Sequence, residues 1–407
     1  MQPFRPPVLR VFGAYRDAFG GLPRLTWLLC LTAFLNRCGA MVVPFLGLYA
    51  KERFGYSAED AGLLLSIYGV GSVAGSYLGG VLCDRIGSVR IQVLALLGSG
   101  CWMFAMTQVL QPGWLEATTF VLALLNEAFR PGSITAVTAS CEPALRRKAL
   151  SLNRLMLNLG WAVGPTIGGY LVQRDFAVMF WVDGGTCLLA GAFLLFGLGG
   201  FSPRAEPRPA DQGAARPLRD PHFRWLMLAN LVVMLAFMQY FTTGSRIFED
   251  RGYLRSEIGW FLAINPILIV MFEMVTIHAL RRRTALPIIA IGSLVVGLGY
   301  LTLLLPLGGY GIALAMAIVA GGELLQMPLL GAYVNDYAPA HARGAYNGAY
   351  GMVFSSALIL APLFGGTMYE RAGENALWLA CGGLGAVGAI MFLRAPPPTR
   401  PQSESSP

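Results

Sequence analysis

The sequence is poor in charged residues. Aspartate, glutamate, lysine and arginine make up 13% of its 407 residues, whereas hydrophobic residues make up 55%. Soluble globular domains carry roughly 25% charged residues. This shortage of charge excludes an ordinary soluble domain.

The sequence also lacks the side-chain groupings of a metal or catalytic site. Its seven cysteines form no C-x-x-C pair, and its three histidines, His222, His278 and His341, lie far apart. Scattered cysteines inside apolar segments behave as small hydrophobic residues. The short connections between the apolar segments hold no nucleophile beside a base. We therefore expect no metal, no cofactor and no enzymatic activity, and keep a membrane enzyme or receptor only as a remote alternative.

What the chain does have is a series of apolar runs, about twelve in number and each about 20 residues long. This is the length that a helix needs to cross the hydrocarbon core of a bilayer. The runs are continuous rather than alternating, which predicts helices and not barrel strands. We number the predicted spans 1 to 12, at 25–49, 58–82, 91–110, 117–140, 150–172, 177–199, 222–246, 256–280, 286–306, 310–335, 344–368 and 375–394.

The basic residues occupy alternate connections between these spans. They are Arg5, Arg10, Arg16 and Arg24 before span 1, Arg85 and Arg90 after span 2, Arg146, Arg147 and Lys148 after span 4, Arg204, Arg208, Arg216 and Arg219 after span 6, and Arg281, Arg282 and Arg283 after span 8. About 19 of the 30 basic residues lie on this side and about seven on the other, which marks it as cytoplasmic. We expect both termini inside, in the cytoplasmic (inner) membrane, with the lipid bilayer and no nucleic acid as partner.

One long hydrophilic segment, residues 200–221, divides the spans six and six. Its Pro, Arg and Ala content predicts a flexible cytoplasmic linker between an N-terminal bundle, 1–199, and a C-terminal bundle, 222–394, followed by a disordered cytoplasmic tail, 395–407. The halves repeat at an offset near 197: FGYSAEDAGLLLS at 54–66 matches RGYLRSEIGWFLA at 251–263, and GPTIGG at 164–169 matches APLFGG at 361–366. An even number of spans per half makes the two repeats parallel.

The turn between spans 2 and 3 carries a dense motif, GGVLCDRIGSVR at 79–90. It resembles the loop signature of the major facilitator superfamily, which reads G-x-x-x-D-R-x-G-x-x-R in this sequence, through Gly80, Asp84, Arg85, Gly87 and Arg90. The resemblance implies an all-α membrane protein of 12 transmembrane helices in two parallel six-helix repeats, working by alternating access and usually as a monomer. We expect Asp84 to cap the N-terminus of span 11 and close a cytoplasmic gate. The alternative is that these charges only fix the orientation of the loop.

A second motif, GWAVGPTIGGYL in span 5, resembles the G-x-x-x-G-P-x-x-G-G stretch of exporters in that superfamily. Its members are Gly160, Gly164, Pro165, Gly168 and Gly169. Small residues at this spacing permit close helix packing, and proline permits a bend. Packing alone is the other interpretation.

Four charged residues fall near the middle of predicted spans: Arg37, Glu127, Arg130 and Glu323. A charge at the bilayer centre costs about 2.5–3.5 kcal/mol on insertion scales, so these residues must face one another or a wet cavity. Glu127 and Arg130 alternatively form a structural pair at i, i+3. We expect the proton-coupling group to be Glu323 or Glu127. Three further charged residues, Asp183, Arg154 and Glu273, lie nearer the span ends and are expected to be structural.

The resemblance adds a candidate substrate site, because spans 1, 4, 7 and 10 line the cavity in major facilitator folds. Its members are Asn36, Arg37, Glu127, Arg130, Gln239, Tyr240, Glu323 and Gln326.

Two branches of the superfamily then compete. The chain layout resembles that of bacterial proton-coupled multidrug exporters. Arg37 before VPFLGLY, Arg130 before Pro131, and GELLQMP at 322–328 resemble proton-coupled oligopeptide transporters, in which Arg37 and Arg130 would hold a peptide carboxylate. Ala33 and Asn36 stand where that family has glutamates. We expect a proton-coupled transporter of a small organic solute, leaning to drug or metabolite export, with import of peptides or other carboxylate-bearing solutes as the alternative.

Overall fold

The computed structural model describes residues 19–39, 41–108, 111–198, 200–201, 217–280, 283–339 and 342–398. We call residues 19–201 the first half and residues 217–398 the second half. Most of the predicted linker, and the predicted tail beyond residue 398, lie outside the described residues. Every regular element in these ranges is an α-helix or a short 3-10 helix, as the sequence predicts.

The helices follow one another with short connections. In the first half they are α1 Arg24–Cys38, α2 Val42–Phe54, α3 Ala58–Ile86, α4 Ser88–Met106, α5 Pro112–Ala139, α6 Arg146–Arg174 and α7 Phe176–Leu198. In the second half they are α8 Pro221–Phe237, α9 Thr243–Asp250, α10 Arg255–Leu280, α11 Ala285–Leu301, α12 Gly308–Tyr337 and α13 Arg343–Leu393. The 3-10 turns are Pro143–Leu145, Pro217–Arg219, Met238–Tyr240 and Thr302–Leu304.

Ten segments of the described chain are long and apolar enough to cross a membrane. The predicted count of twelve differs from this at two places. The 51-residue α13 covers spans 11 and 12 and is broken at Gly373, whose φ of 81° and ψ of 173° are not helical. The 28-residue α5, about 42 Å long, corresponds to span 4 and carries Glu116, Glu127 and Arg130, which lower its hydropathy.

Spans 1 and 7 are each broken in the middle, which the sequence did not predict. Between α1 and α2, the carboxylate Oδ2 of Asp183 accepts hydrogen bonds from the backbone N–H of Met41 at 3.2 Å and of Val42 at 3.4 Å. Between α8 and α9, the hydroxyl of Tyr300 donates to the carbonyl of Phe237 at 2.9 Å and accepts from the N–H of Tyr240 at 3.2 Å. Side chains thus replace main-chain partners that each break leaves unpaired.

Glycines set the helix contacts between the two halves. A Cβ added at Gly62 of α3 would lie 2.5 Å from the carbonyl oxygen of Pro362 in α13. A Cβ at Gly259 of α10 would lie 2.4 Å from the carbonyl oxygen of Pro165 in α6. Backbone therefore lies against backbone where α3 meets α13 and where α6 meets α10, an approach that only small residues allow.

Candidate functional site

One end of the bundle, which we call the sealed end, is closed by ion pairs between the halves. Lys51 Nζ lies 3.1 Å from Glu249 Oε2 and 2.5 Å from Asp250 Oδ1. Arg255 pairs with Glu52 of the first half and, at 2.8 Å, with Glu249 of its own half. The sealed end comprises these pairs together with Arg371–Glu59 at 2.9 Å.

Tyr56, in the loop between α2 and α3, belongs to the same end. Its carbonyl accepts from Arg246 Nη1 across the halves at 2.9 Å. Its hydroxyl donates to the carboxylate of Glu116. Burial, followed by the hydrogen bond to Glu116 and the charge of that residue, raises the pKa of the Tyr56 phenol. The phenol is therefore neutral at physiological pH, and it serves the seal as a hydrogen-bond donor rather than as a charge.

The opposite end carries the Asp84 motif and is not closed by it. Asp84, Arg85 and Arg90 are exposed, and Asp84 makes no hydrogen bond or ion pair with a described residue of α13. A Cβ added at Gly80 would have nothing within 4 Å. Gly87 joins α3 to α4 with φ of 96° and ψ of 157°, a conformation that favours glycine. Within the described residues, the expected latch is therefore not formed in this conformation.

The span 5 motif lies where three helices meet. Added Cβ atoms at Gly160 and Gly164 would reach the backbone and Cβ of α1 near Arg37 at 2.7–3.2 Å. One at Gly168 would lie 3.0 Å from the Cβ of Met41, just before α2, and 3.2 Å from the ring of Phe45 in α2. A Cβ at Gly169 would lie 2.3 Å from the carbonyl oxygen of Arg255, at the start of α10. The glycines thus hold α6 against α1, α2 and α10.

Arg37 stands in a small polar group of the first half. Its Cζ lies 5.4 Å from the ring centroid of Trp161, a cation–π distance, while its Nε is buried and has no hydrogen-bond partner among the described residues. Beside it is a cavity of about 10 Å³, room for about one water molecule. We call the polar residues that line this cavity the first-half cluster: Asn36, Arg37, Tyr68, Asn126 and Asp183.

The two charged residues of span 4 do not form the structural pair that was one interpretation. Glu127 is half-buried and interacts electrostatically with Tyr68. Arg130 is exposed. No ion pair within the described chain joins Glu127 to Arg130 or either of them to Arg37, so the structure brings Glu127 toward the first-half cluster and leaves Arg130 outside it.

Glu323 lies in a second polar group that both halves build. Its Oε2 accepts a hydrogen bond from Asn265 Nδ2 at 3.0 Å. Arg154 of α6 reaches across the halves to Glu273 of α10, with Nη1 3.0 Å from Oε1. Arg154 and Glu273 are the charged groups that act on Glu323. We call Arg154, Asn265, Glu273 and Glu323 the interhalf cluster.

The polar residues of spans 7 and 10 divide into two groups. Gln239 is fully buried, and its amide donates to the carbonyls of Leu235 and Ala361, both at 2.9 Å. Gln326 is 1% exposed and donates to Asn230 Oδ1 at 3.1 Å. The structure thus uses both glutamines in helix packing, and in the described chain neither forms a hydrogen bond with Glu323.

Tyr240, by contrast, interacts electrostatically with Glu323. Next to it, the ring of Phe241 lies 5.2 Å from that of Trp161, edge to face. Because Trp161 also contacts Arg37, a chain of aromatic side chains connects the first-half cluster to the interhalf cluster.

Arg154, Glu273 and Asp183, which the sequence led us to expect as structural residues, lie in the two polar clusters. The first two form an ion pair between the halves, and Asp183 is 0% exposed and belongs to the first-half cluster. Each of the three is a charged residue inside an apolar run, which is the feature of the sequence that marks it.

These features define a multi-pass helical membrane protein with polar groups enclosed between two halves. The chain belongs to the Major Facilitator Superfamily, whose family model matches residues 29–362 and 247–407. It is accordingly a membrane transporter and not an enzyme.

Two bacterial relatives illustrate the range of similar chains. The chain is 25% identical over 373 residues to an uncharacterized MFS-type transporter, YttB, of Bacillus subtilis, covering 88% of this chain and 92% of the relative. It is 23% identical over 361 residues to the multidrug resistance protein MdtH of Klebsiella pneumoniae, covering 87% and 88%.

Solved structures share the fold at lower identity. A POT family transporter in complex with 5-aminolevulinic acid superposes with a TM-score of 0.80 at 16% identity, covering 94% of this chain and 98% of that one. The nucleoside transporter NupG gives a TM-score of 0.73 at 14% identity, covering 91% and 98%. At these identities the likeness shows the fold alone.

Proposed function

We propose that the protein is a proton-coupled secondary transporter that works by alternating access and exports a small organic solute, such as a drug or metabolite, across the cytoplasmic membrane. The observation that carries this proposal is the interhalf cluster. Its carboxylate, Glu323, lies beside an ion pair whose members, Arg154 and Glu273, come from different halves. A change of charge at Glu323 therefore acts on a contact between the halves.

The proposed architecture has twelve spans in two parallel six-helix bundles, 1–199 and 222–394, joined by a linker at 200–221 and followed by a tail at 395–407. The break at Gly373 supports two spans within α13, and the length of α5 supports one span there. The matching breaks of spans 1 and 7 support the repeat. The protein would act as a monomer and need no cofactor beyond the proton gradient.

The distribution of basic residues supports a cytoplasmic location for the Asp84 end and for both termini, with the sealed end outside. In this proposed orientation, the conformation described here would be the inward-facing one, with the outer end closed by ion pairs. Asp84 would cap span 11 in the opposite state, when the cytoplasmic ends of the halves approach.

Proton coupling follows from competition at Glu323. The ionised carboxylate attracts Arg154 and a cationic group of the solute. A proton from the aqueous cavity neutralises the carboxylate, which releases the cation and leaves Arg154 to Glu273 alone. Because proton and cation cannot occupy the carboxylate together, the two move in opposite directions, which is the requirement of an exporter driven by proton entry.

The alternative is a proton-coupled importer of peptides or other carboxylate-bearing solutes. Arg37 favours it, because its Nε is buried without a partner beside Asn36. A solute carboxylate would supply the missing acceptor. Arg130, exposed on the next turn after Glu127, would be a second cation for such a solute.

The proposal is tested in proteoliposomes with Glu323→Gln. We expect this variant to lose transport driven by a pH gradient but to keep solute exchange at equal pH, because the amide keeps the shape of the site and cannot carry a proton. Glu257→Gln, an exposed carboxylate at the start of α10, is the matched control. Gradient-driven transport at the rate of the unmodified protein in Glu323→Gln would remove the coupling role. Comparing cationic amphiphiles with dipeptides as solutes distinguishes export from the alternative.

A further inference from the structure

We propose that Asp183 is a second proton-binding site, in the first half of the chain, and that its charge sets the position of Arg37. The proposal rests on the alternative given under the proposed function, in which Arg37 binds a carboxylate of the solute. It assigns a role to a buried carboxylate that coupling at Glu323 leaves unused.

The first argument is the burial of Asp183. Its side chain is 0% exposed, and no ion pair within 4 Å neutralises it among the described residues. An isolated ionised carboxylate in such a place is costly unless it is hydrogen-bonded, and it otherwise takes up a proton. For Asp183 to bind and release a proton, its environment must therefore favour the ionised or the protonated carboxyl group by only a modest margin.

The surroundings of Asp183 can stabilise both its ionised and its protonated form. The ionised form is held by the N–H groups of Met41 and Val42, at the start of α2, where the helix dipole favours an anion. The thiol of Cys187 approaches the other carboxylate oxygen at 4.0 Å. The adjacent cavity has room for one water molecule, which can deliver a proton or accept a hydrogen bond from the protonated form.

The groups that titrate or carry charge around Asp183 are few. From α1 they are Arg37 and Cys38, from α3 Tyr68, and from α7 itself Cys187. The α4 and α5 helices contribute Met103 and Asn126, which do not titrate. Arg37 is the single cation in this set, so its interaction with Asp183 is the one that protonation removes.

Gly39 lies in the break of span 1, and its lack of a side chain makes room for the carboxylate of Asp183. A Cβ at Gly39 would lie 2.6 Å from Asp183 Oδ1 and 2.7 Å from the hydroxyl oxygen of Thr186. The absence of a side chain there lets the carboxylate approach the gap between α1 and α2. Arg37 and Met41, on the two sides of the gap, both interact with the carboxylate.

Protonation then has a defined consequence. Loss of the negative charge weakens the cap of α2 and removes the electrostatic attraction of Asp183 for Arg37. Arg37 then keeps its contact with the face of Trp161 and can attract another anionic group. A proton bound in the first half thus raises the affinity of the Arg37 region for an anionic group.

The test is a pH titration by infrared spectroscopy of the purified full-length protein in lipid vesicles, following the C=O stretch of buried carboxylic acids. We expect Asp183→Asn to lose one titrating band that Glu323→Gln keeps. Asp336→Asn, an exposed aspartate at the end of α12, should leave the band in place. An Asp183→Asn spectrum that matches that of the unmodified protein across the acid to mildly alkaline range would overturn the proposal.

A second variant keeps the test decisive if Asp183→Asn does not fold. Arg37→Gln should move the titration of the same band to higher pH, with proton affinity raised about tenfold or more, because a nearby cation favours the ionised carboxylate. An unmoved band would refute the link between the two residues.

The outcome is separable from that of the proposed function. Gradient-driven transport that survives Glu323→Gln would end the coupling role of Glu323 and leave the infrared assignment of Asp183 untouched.

Discussion

The ion pairs of the sealed end should set the balance between the two conformations of the transporter. Substitution of Lys51 tests this most directly, because Lys51 pairs with Glu249 and Asp250 of the opposite half. Lys51→Gln removes both pairs while keeping most of the side-chain volume. We expect the variant to favour the conformation in which the sealed end is open.

The free energy lost in Lys51→Gln can be judged from the exposure of the three paired side chains. The side chain of Lys51 is 33% exposed, and those of Glu249 and Asp250 are 19% and 29% exposed. Fully exposed pairs are worth about 0.2–1 kcal/mol each, and two charges 4 Å apart near a protein surface interact by about 4 kcal/mol before desolvation and side-chain entropy are counted. Arg255 and Arg246 still face the two carboxylates after the substitution. We therefore expect a loss of about 1–2 kcal/mol, which changes the ratio of the two conformations about 5- to 30-fold.

The assay is double electron–electron resonance between spin labels at Asp175 and Leu305. Both positions are exposed near the sealed end, one in each half. The accessible native cysteines, Cys101 and Cys141, are first replaced by serine. Lys51→Gln should increase the population with the longer label distance, and high salt should act in the same direction.

Two controls accompany this measurement. Lys51→Arg keeps the charge and should leave the distances near those of the unmodified protein. Arg174→Gln removes a charge from an exposed residue at the end of α6, outside the ion pairs of the sealed end. If Lys51→Gln and Arg174→Gln give the same distance distribution, the sealed end does not control the conformational balance.

Three further predictions concern the contacts between the halves. Glu273→Gln and Arg154→Gln should each slow solute exchange, and the double variant should be impaired by less than the sum of the two effects. A double-mutant cycle of exchange rates measures this difference, and strictly additive effects would exclude coupling between the two residues. Gly169→Ala should lower the thermal melting temperature through a loss of about 1–3 kcal/mol in stability, because the added Cβ would clash with the carbonyl of Arg255. The control is Gly185→Ala, where a Cβ meets nothing within 4 Å. Equal melting temperatures of the two variants would contradict the packing argument. Asp84→Asn should depopulate the conformation with the open sealed end in the same spin-label assay, and unchanged populations would disprove the latch.

Hydropathy and motifs predicted the family, the helical class and most helix positions correctly. They did not predict the breaks in spans 1 and 7, because the hydropathy of a segment carries no information on its main-chain hydrogen bonds. In both cases the compensating partner, Asp183 or Tyr300, lies far away in the sequence.

The site was predicted less completely than the fold. Arg37 and Glu323 were proposed because a charge at mid-span must be enclosed, and the structure places each of them in a polar cluster. Gln239 and Gln326 looked equally suited to bind a solute, but a single sequence does not tell which face of a span is packed. The pairing of Arg154 with Glu273 depends on how α6 meets α10, which only the tertiary structure defines.

The glycine contacts of α3 with α13 and of α6 with α10 have a consequence for how such a transporter changes its cargo. At these points main chain rests on main chain, and no side chain needs to repack when one half tilts against the other. In the proposed alternating-access cycle, the contacts that move and the residues that bind the solute are therefore different. Substitutions in the proposed solute site can then alter what is carried while the movement between the halves stays intact.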